Sequence, residues 1–416
     1  MTSGDNPGGN DVPGDGWPGG GMPFFDLSGL LGGARAGDPW AGAADLAAAI
    51  ASEGGAEPNL DPLVRIRIEE LVRVAELHVA QATGIALPSN TTVVPVTRGE
   101  WTRRSLVAYR PFFERFGEAL GSATPAAPAG DPLGMMLGQL FQSLGPALVS
   151  ASAGSLIGHL GQRALGQYDL PVPRSSSEVL VVPATIDQTA AQWGVPVDDL
   201  RLWVLVEELA THAVLSRPHV GRRLESLLID FAAAFRPNPE AIAERFASFE
   251  SLTDLSQLQE MSEQLSDPDA VLTLMRSPAH DLLAPQFEAL VAAVLGFVSH
   301  TVDEICRRLV GSHDEIRARF RQRAVDVAPA DRFMERLLGV EITERTLGRG
   351  DRFIDGIVTR AGDEGLERLW ADELDLPTAA EIDAPGLWLA RIGFDADPGA
   401  IDIEIPDDLS GLDDGD

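Results

Sequence analysis

The chain has 416 residues, of which 63 are acidic, 32 are basic and 44% are hydrophobic, and its formal net charge is −31. All the basic residues are arginine, which excludes the Schiff-base, P-loop and general-base chemistry that requires lysine. The negative charge argues against a nucleic acid or an anionic membrane as a partner, and the single cysteine, Cys306, excludes an intramolecular disulfide and a cysteine-based zinc cluster.

Residues 1–55 are predicted to form a disordered tail. Twelve of the first forty residues are glycine and five are proline, and ordering such a chain costs too much backbone entropy for a packed unit. Within this tail, Met22–Leu31 is an apolar segment, for which three alternatives stay open: it docks on a partner, it docks on the body of the protein, or it is only a weakly ordered strip. The N-terminus has no basic segment followed by an apolar one, so no secretory signal and a cytoplasmic location are expected.

Helical periodicity begins after this tail. Leu60–Thr83 repeats apolar residues at the helical spacing and starts with Asp61 and Pro62, a good N-cap and first-turn pair. A second helix is expected to begin at Thr97, where a capping box leads into a run of aromatic residues ending near Leu120.

The segment Pro132–Gln162 contains no charged residue and is long enough to cross a bilayer. It also contains several glutamines and serines, His159, and Pro146 near its middle. These features favour a buried pair of helices broken near Gly145 and Pro146 over a membrane span.

The second half of the chain has one strand signal, the short β-branched segment Glu178–Pro183. Further helices are predicted at Asp187–Trp193, Pro196–Ser216, Val220–Phe235, Pro239–Phe246, Leu282–Leu309, His313–Arg323, Asp351–Arg360 and Glu364–Ala371. Residues 395–416 carry nine acidic and no basic side chains and are expected to be a solvated acidic tail. The sequence therefore predicts a mostly α fold, with a helical body at residues 56–394 and at most a few short strands.

The helix predicted at Val197–Leu215 is apolar except for four adjacent polar positions, Glu207, Glu208, Thr211 and His212. Glu208 and His212 are four residues apart and share a helix face. Burying a carboxylate and an imidazole alone costs several kcal/mol, so they must be paired, solvated or bound to a ligand. Taken alone, this pattern is more typical of a structural, hydrogen-bonded pair at the contact between two helices than of a metal-binding or catalytic site.

Seven further segments accompany this helix in a characteristic order and spacing: Gly161–Pro171, Val181–Pro183, Arg217–Val220, Gly296–Asp303, Leu369–Trp370, Leu376–Thr378 and Glu381–Ile382. Together with the helix they resemble an actinobacterial family of zincin-like metallopeptidases, also described as associated with coenzyme F420 biosynthesis. The resemblance extends over roughly residues 60–394.

This resemblance implies an HExxH helix, in which two histidines hold Zn²⁺, the glutamate acts as general base and a downstream acidic residue is the third ligand. The chain departs from that pattern. If Glu208 is the base, Glu207 and Thr211 occupy the histidine positions, and Leu295 stands where the acidic ligand is expected. If the motif is shifted by one residue, His212 is kept as a metal ligand, but Glu208 replaces the first histidine and Leu209 the base.

Two functions follow as hypotheses. In the first, the protein has lost zinc hydrolysis, Glu208 is a vestigial general base, no cofactor is expected, and the helical scaffold binds an unidentified protein or peptide. In the second, it is an active zinc-dependent metallohydrolase with a substituted ligand set, in which Glu208 is a base or a ligand, His212 is a ligand, and a donor such as His300 or Asp303 completes the site. Neither hypothesis identifies a substrate.

Overall fold

A computed structural model of the protein describes residues 38–122, 132–174, 176–236, 272 and 275–394. Within these ranges the chain forms twelve α-helices, two short β-strands and two 3₁₀ turns, so the predicted mostly α fold is confirmed. The helices are α1 Pro39–Ala51, α2 Pro62–Thr83, α3 Arg98–Ser122, α4 Pro132–Arg163, α5 Pro183–Trp193, α6 Val197–Leu215, α7 Pro218–Ala234, α8 Pro278–Leu309, α9 His313–Val325, α10 Pro329–Leu338, α11 Glu344–Leu369 and α12 Pro385–Arg391.

Helix α1 lies inside the segment predicted to be a disordered tail, so that prediction is wrong for residues 39–51. The helix is capped by the Asp38 side chain and packs on α4 through small residues. A Cβ atom on Gly154 would lie 2.5 Å from the carbonyl oxygen of Ala43, and one on Gly158 would lie 3.0 Å from that of Ala47. Glycine thus lets the two backbones touch, and this pairing stabilises a segment whose composition alone indicates disorder.

One further prediction about helices is wrong, and one helix was not predicted. Helix α4 is continuous through Pro146, where a break was expected. Helix α10 has no counterpart among the predicted helices. The predicted helix at Pro239–Phe246, the apolar segment Met22–Leu31 and the acidic tail all lie outside the described residues.

The two strands form a small parallel sheet beside α6, the helix that carries Glu207, Glu208, Thr211 and His212. Strand β2, Glu178–Val181, is confirmed where its β-branched sequence predicted it, and it pairs in parallel with β1, Thr92–Pro95. After β2, the backbone N–H of Val182 donates to the carbonyl of Leu165, and Gly166 bridges to Val181. The sheet therefore holds the loop that follows α4 against the middle of α6.

Helix α8 packs against α11, α6 and α7 and forms much of the core. Its contact with α11 is close, because a Cβ on Gly296 would lie 2.4 Å from the carbonyl carbon of Gly350. By length and hydropathy, α8 is the one helix in the described ranges that could cross a membrane, but 56% of its most apolar window is buried inside the protein. The core helix of a globular domain has the same properties.

Candidate functional site

Helix α6 begins after Pro196 with Asp198 and Asp199 in its first turn, where negative charge stabilises the helix N-terminus. From Leu200 to Leu215 almost every residue is buried, as expected for a helix that is apolar on all sides. The polar residues in its middle must therefore find partners inside the protein.

A cleft of about 470 Å³ lies between α6, α8, α9 and the loop after α4. Glu207 and Thr211 line it from successive turns of α6, and Leu295 lines it from α8. These are the three residues that occupy the expected zinc-ligand positions when Glu208 is aligned with the base. The fold thus brings these three positions to one cleft although they are distant in sequence.

Glu208 is buried and is held by the loop after α4. Its carboxylate accepts hydrogen bonds from the backbone N–H groups of Gln167 (2.8 Å) and Tyr168 (3.0 and 3.1 Å). Burial raises the pKa of Glu208 well above its ordinary value, and the backbone donors oppose this rise. The contact requires glycine at 166, because a Cβ there would lie 2.2 Å from a Glu208 carboxylate oxygen.

His212 lies on the side of α6 next to β1 and is not among the residues lining the cleft. Its Nδ1 is 2.9 Å from the Tyr168 hydroxyl, and its Nε2 is 3.3 Å from the hydroxyls of both Thr91 and Ser216. Burial lowers the pKa of His212 to about 4, so the ring is neutral at physiological pH. Both ring nitrogens therefore have hydroxyl partners, as expected for a hydrogen-bonded histidine where packed elements meet.

Glu207 is half-buried and lines the cleft directly. Burial, with a further contribution from Asp169, raises its pKa to about 7, and Arg323 opposes the rise. Thr211 lines the cleft one turn later, but its hydroxyl donates to the backbone carbonyl of Glu207 at 2.8 Å. This hydroxyl is thus engaged within its own helix.

Several charged residues that the sequence did not single out also line the cleft, among them Asp169, Arg323 and Glu335. Arg323 of α9 forms an ion pair with Asp169 at 2.9 Å. Glu335 of α10 pairs with Arg332, and its other carboxylate oxygen has no partner within the described residues. The only signal in the sequence that could have pointed to Asp169 is its position in a segment that carries the family resemblance. Arg323 and Glu335 are unremarkable charges in sequence, and only the fold places them at the cleft.

The two donors considered as replacement ligands lie in different places. Asp303 lines the cleft but is bound to His313 at 2.8 Å and to Arg317 at 3.3 Å. His300 is not among the lining residues. No group of three histidine, cysteine, aspartate or glutamate side chains in the described ranges is arranged to hold a metal ion.

Zinc in proteins normally has at least three protein ligands. At the three converging positions only Glu207 supplies a group that zinc commonly binds, because the Thr211 side chain is a neutral hydroxyl and Leu295 has no donor atom. In the shifted alignment, both nitrogens of His212 are already engaged. The residues present do not fit a zinc ion in either alignment.

Comparisons with known proteins identify the family and the fold of the chain. A sequence model described as zincin-like metallopeptidase matches residues 39–389. A crystal structure from Chloroflexus aurantiacus, described as "a putative hydrolase with a novel fold", superposes with a TM-score of 0.55 at 21% identity, covering 85% of this chain and 98% of the other. At that identity the match shows a shared fold. No significant match is found among curated proteins.

Proposed function

Because the chain belongs to the zincin-like metallopeptidase family, we propose that it is a member that no longer hydrolyses peptides through zinc and that uses the cleft beside α6 to bind a protein or peptide partner in the cytoplasm. One observation carries the proposal. The three expected ligand positions meet at one cleft, and they hold Glu207, Thr211 and Leu295. The zincin architecture is thus retained while the donor set is not.

The environment of Glu208 supports the same conclusion. In an HExxH site the glutamate must be available to take a proton from water at the metal. Here both of its oxygens accept backbone hydrogen bonds from residues 167 and 168. This carboxylate connects α6 to the loop after α4, which is a structural role.

Metal analysis of the purified full-length protein tests the proposal. We expect far less than one zinc per chain after dialysis, and no chelator-sensitive hydrolysis of peptides. Stoichiometric zinc that is lost in His212→Ala would overturn the proposal and support the active metallohydrolase with substituted ligands. Peptide hydrolysis that is abolished both by a chelator and by Glu208→Gln would do the same.

A gain-of-function variant tests the assignment of positions. The combined substitution Glu207→His, Thr211→His and Leu295→Glu restores two imidazoles and a carboxylate at the three positions. We expect this variant to bind one zinc per chain, and a matched variant that keeps Leu295 to bind it more weakly. A folded triple variant with no zinc affinity would contradict the claim that these residues stand at former ligand positions.

A further inference from the structure

One carboxylate in the cleft, that of Glu207, has no hydrogen bond or ion pair within the described residues. Every other acidic or basic side chain lining the cleft is engaged. The arginines form the ion pairs Arg163–Asp331 (2.9 Å), Arg317–Asp303 (3.3 Å), Arg321–Asp351 (2.7 Å) and Arg323–Asp169 (2.9 Å). The remaining acids are bound by backbone N–H groups at Glu208, by His313 at Asp314 and by Arg332 at Glu335. Glu207 is therefore the one acidic side chain of the cleft lining with neither a hydrogen bond nor an ion pair in the described part of the chain.

The surface around this charge is largely apolar. The side chains that contribute are Trp203, Val204, Leu295, Val298, Val302 and Phe320. Trp203 and Phe320 stack with their ring centroids 5.6 Å apart, which gives this part of the cleft a rigid aromatic wall. A half-buried carboxylate in such a setting lacks much of the hydration that would stabilise it, and a cation that reaches it restores that stabilisation.

We propose that the cleft binds a cationic organic group, an ammonium or guanidinium on an apolar chain, with Glu207 as its counter-ion. The cationic group of the ligand contacts the Glu207 carboxylate, while its hydrocarbon part packs against the aliphatic and aromatic lining, as the stems of lysine and arginine do on protein surfaces. The inference rests on the proposed function, because it assigns a ligand to the cleft of a protein that does not use zinc there.

Two other ligand classes fit the cleft less well. A divalent metal needs several donor atoms, and in the described part of the chain Glu207 is the only free one at the converging positions. An anion would need a free basic group, but the four arginines of the lining are paired with carboxylates. A volume of about 470 Å³ is ample for one long basic side chain.

Calorimetric titration of the full chain with hexylamine and with hexan-1-ol, in buffer with a chelator, tests the inference. The two probes share an apolar chain and differ in charge. We expect hexylamine to bind at least about tenfold more tightly than hexan-1-ol, since a charge-assisted hydrogen bond is added. In Glu207→Gln this preference should fall to about twofold or less, with hexan-1-ol affinity retained. The control Glu69→Gln removes an exposed charge from α2 and should keep the full preference.

Equal binding of the two probes by the wild-type protein overturns the inference, and so does a preference that survives in a folded Glu207→Gln variant. A second pair of probes, acetyl-Leu-Lys-Leu-amide and its norleucine counterpart, separates a peptide source from a free amine. Tighter binding of the lysine peptide than of hexylamine identifies a peptide side chain, and the reverse order identifies a small amine. Zinc measured in the dialysed protein before the chelator is added tells the two proposals apart. Stoichiometric zinc defeats the proposed function, whereas metal-free protein with no amine preference defeats only this inference.

Discussion

The raised pKa of Glu207 predicts that its replacement by glutamine changes how stability depends on pH. Below about pH 4.5 the carboxyl is protonated in both the folded and the unfolded chain. Between pH 4.5 and 7 the unfolded chain releases this proton, while the folded chain, with a pKa near 7, retains it. Stability therefore falls as the pH rises through this window and remains lower above it. Glutamine has no proton to release, so the stability of Glu207→Gln does not fall in this pH window on account of residue 207.

The size of the effect follows from the shift. A rise from the ordinary 4.5 to about 7, at about 1.4 kcal/mol per pH unit, corresponds to an upper limit of about 3–4 kcal/mol. Water in the cleft screens the charge and reduces this value. Urea unfolding at pH 5 and at pH 8 measures it. We expect Glu207→Gln to unfold with nearly the wild-type free energy at pH 5 and to be more stable by about 1–3 kcal/mol at pH 8.

The control for this measurement is Glu69→Gln, which removes an exposed carboxylate from α2 and should follow the wild-type protein at both pH values. Burial also raises the pKa of Glu335 to about 7. This residue is present in all these proteins, so it contributes equally to the pH dependence of their unfolding free energies. If Glu207→Gln loses as much stability between pH 5 and pH 8 as the wild type, the carboxylate is not desolvated by the cleft and the reasoning fails.

Two further substitutions probe the packing around α6, and a pair of deletions probes the packing of α1 on α4. Gly166→Ala places a methyl group 2.2 Å from a Glu208 oxygen and should cost about 1–3 kcal/mol in urea unfolding; an unchanged midpoint would contradict the close approach. Tyr168→Phe leaves the Nδ1 of the buried histidine without its partner at 2.9 Å and should cost about 1–3 kcal/mol, measured the same way. Deletion of residues 1–55 removes α1 and exposes the glycine face of α4, so calorimetry should show a clearly lower Tm, whereas deletion of residues 1–37 should leave the Tm nearly unchanged.

Local signals in the sequence predicted those elements that local chemistry determines. The cap formed by Asp61 and Pro62 begins α2 where expected, and the β-branched run at Glu178–Val181 is the second strand. Helix α1 was missed because its stability comes from the face of α4, a contact that no window of the sequence contains. In α4 the missing N–H of Pro146 predicted a break, yet the helix continues through this residue, so the local signal did not determine the element.

The site was only partly predictable for a related reason. Helical spacing places Glu208 and His212 on one face, but it does not say which face meets a cleft. In the structure, Glu207 and Thr211 line the cleft, while His212 lies next to β1. Choosing between the two alignments of the motif required the position of Leu295, which reaches the cleft from a helix more than eighty residues away in sequence.

The contact between Glu208 and the backbone of residues 167 and 168 also bears on any attempt to build zinc catalysis into the cleft. The three converging positions can each be changed by a single substitution, whereas a free general base depends on a loop whose close approach requires Gly166. Ligands introduced at Glu207, Thr211 and Leu295 would therefore hold a metal beside a carboxylate that is already bound by backbone N–H groups. Turnover would require the loop after α4 to move as well, so metal binding and catalysis are separate design problems in this fold.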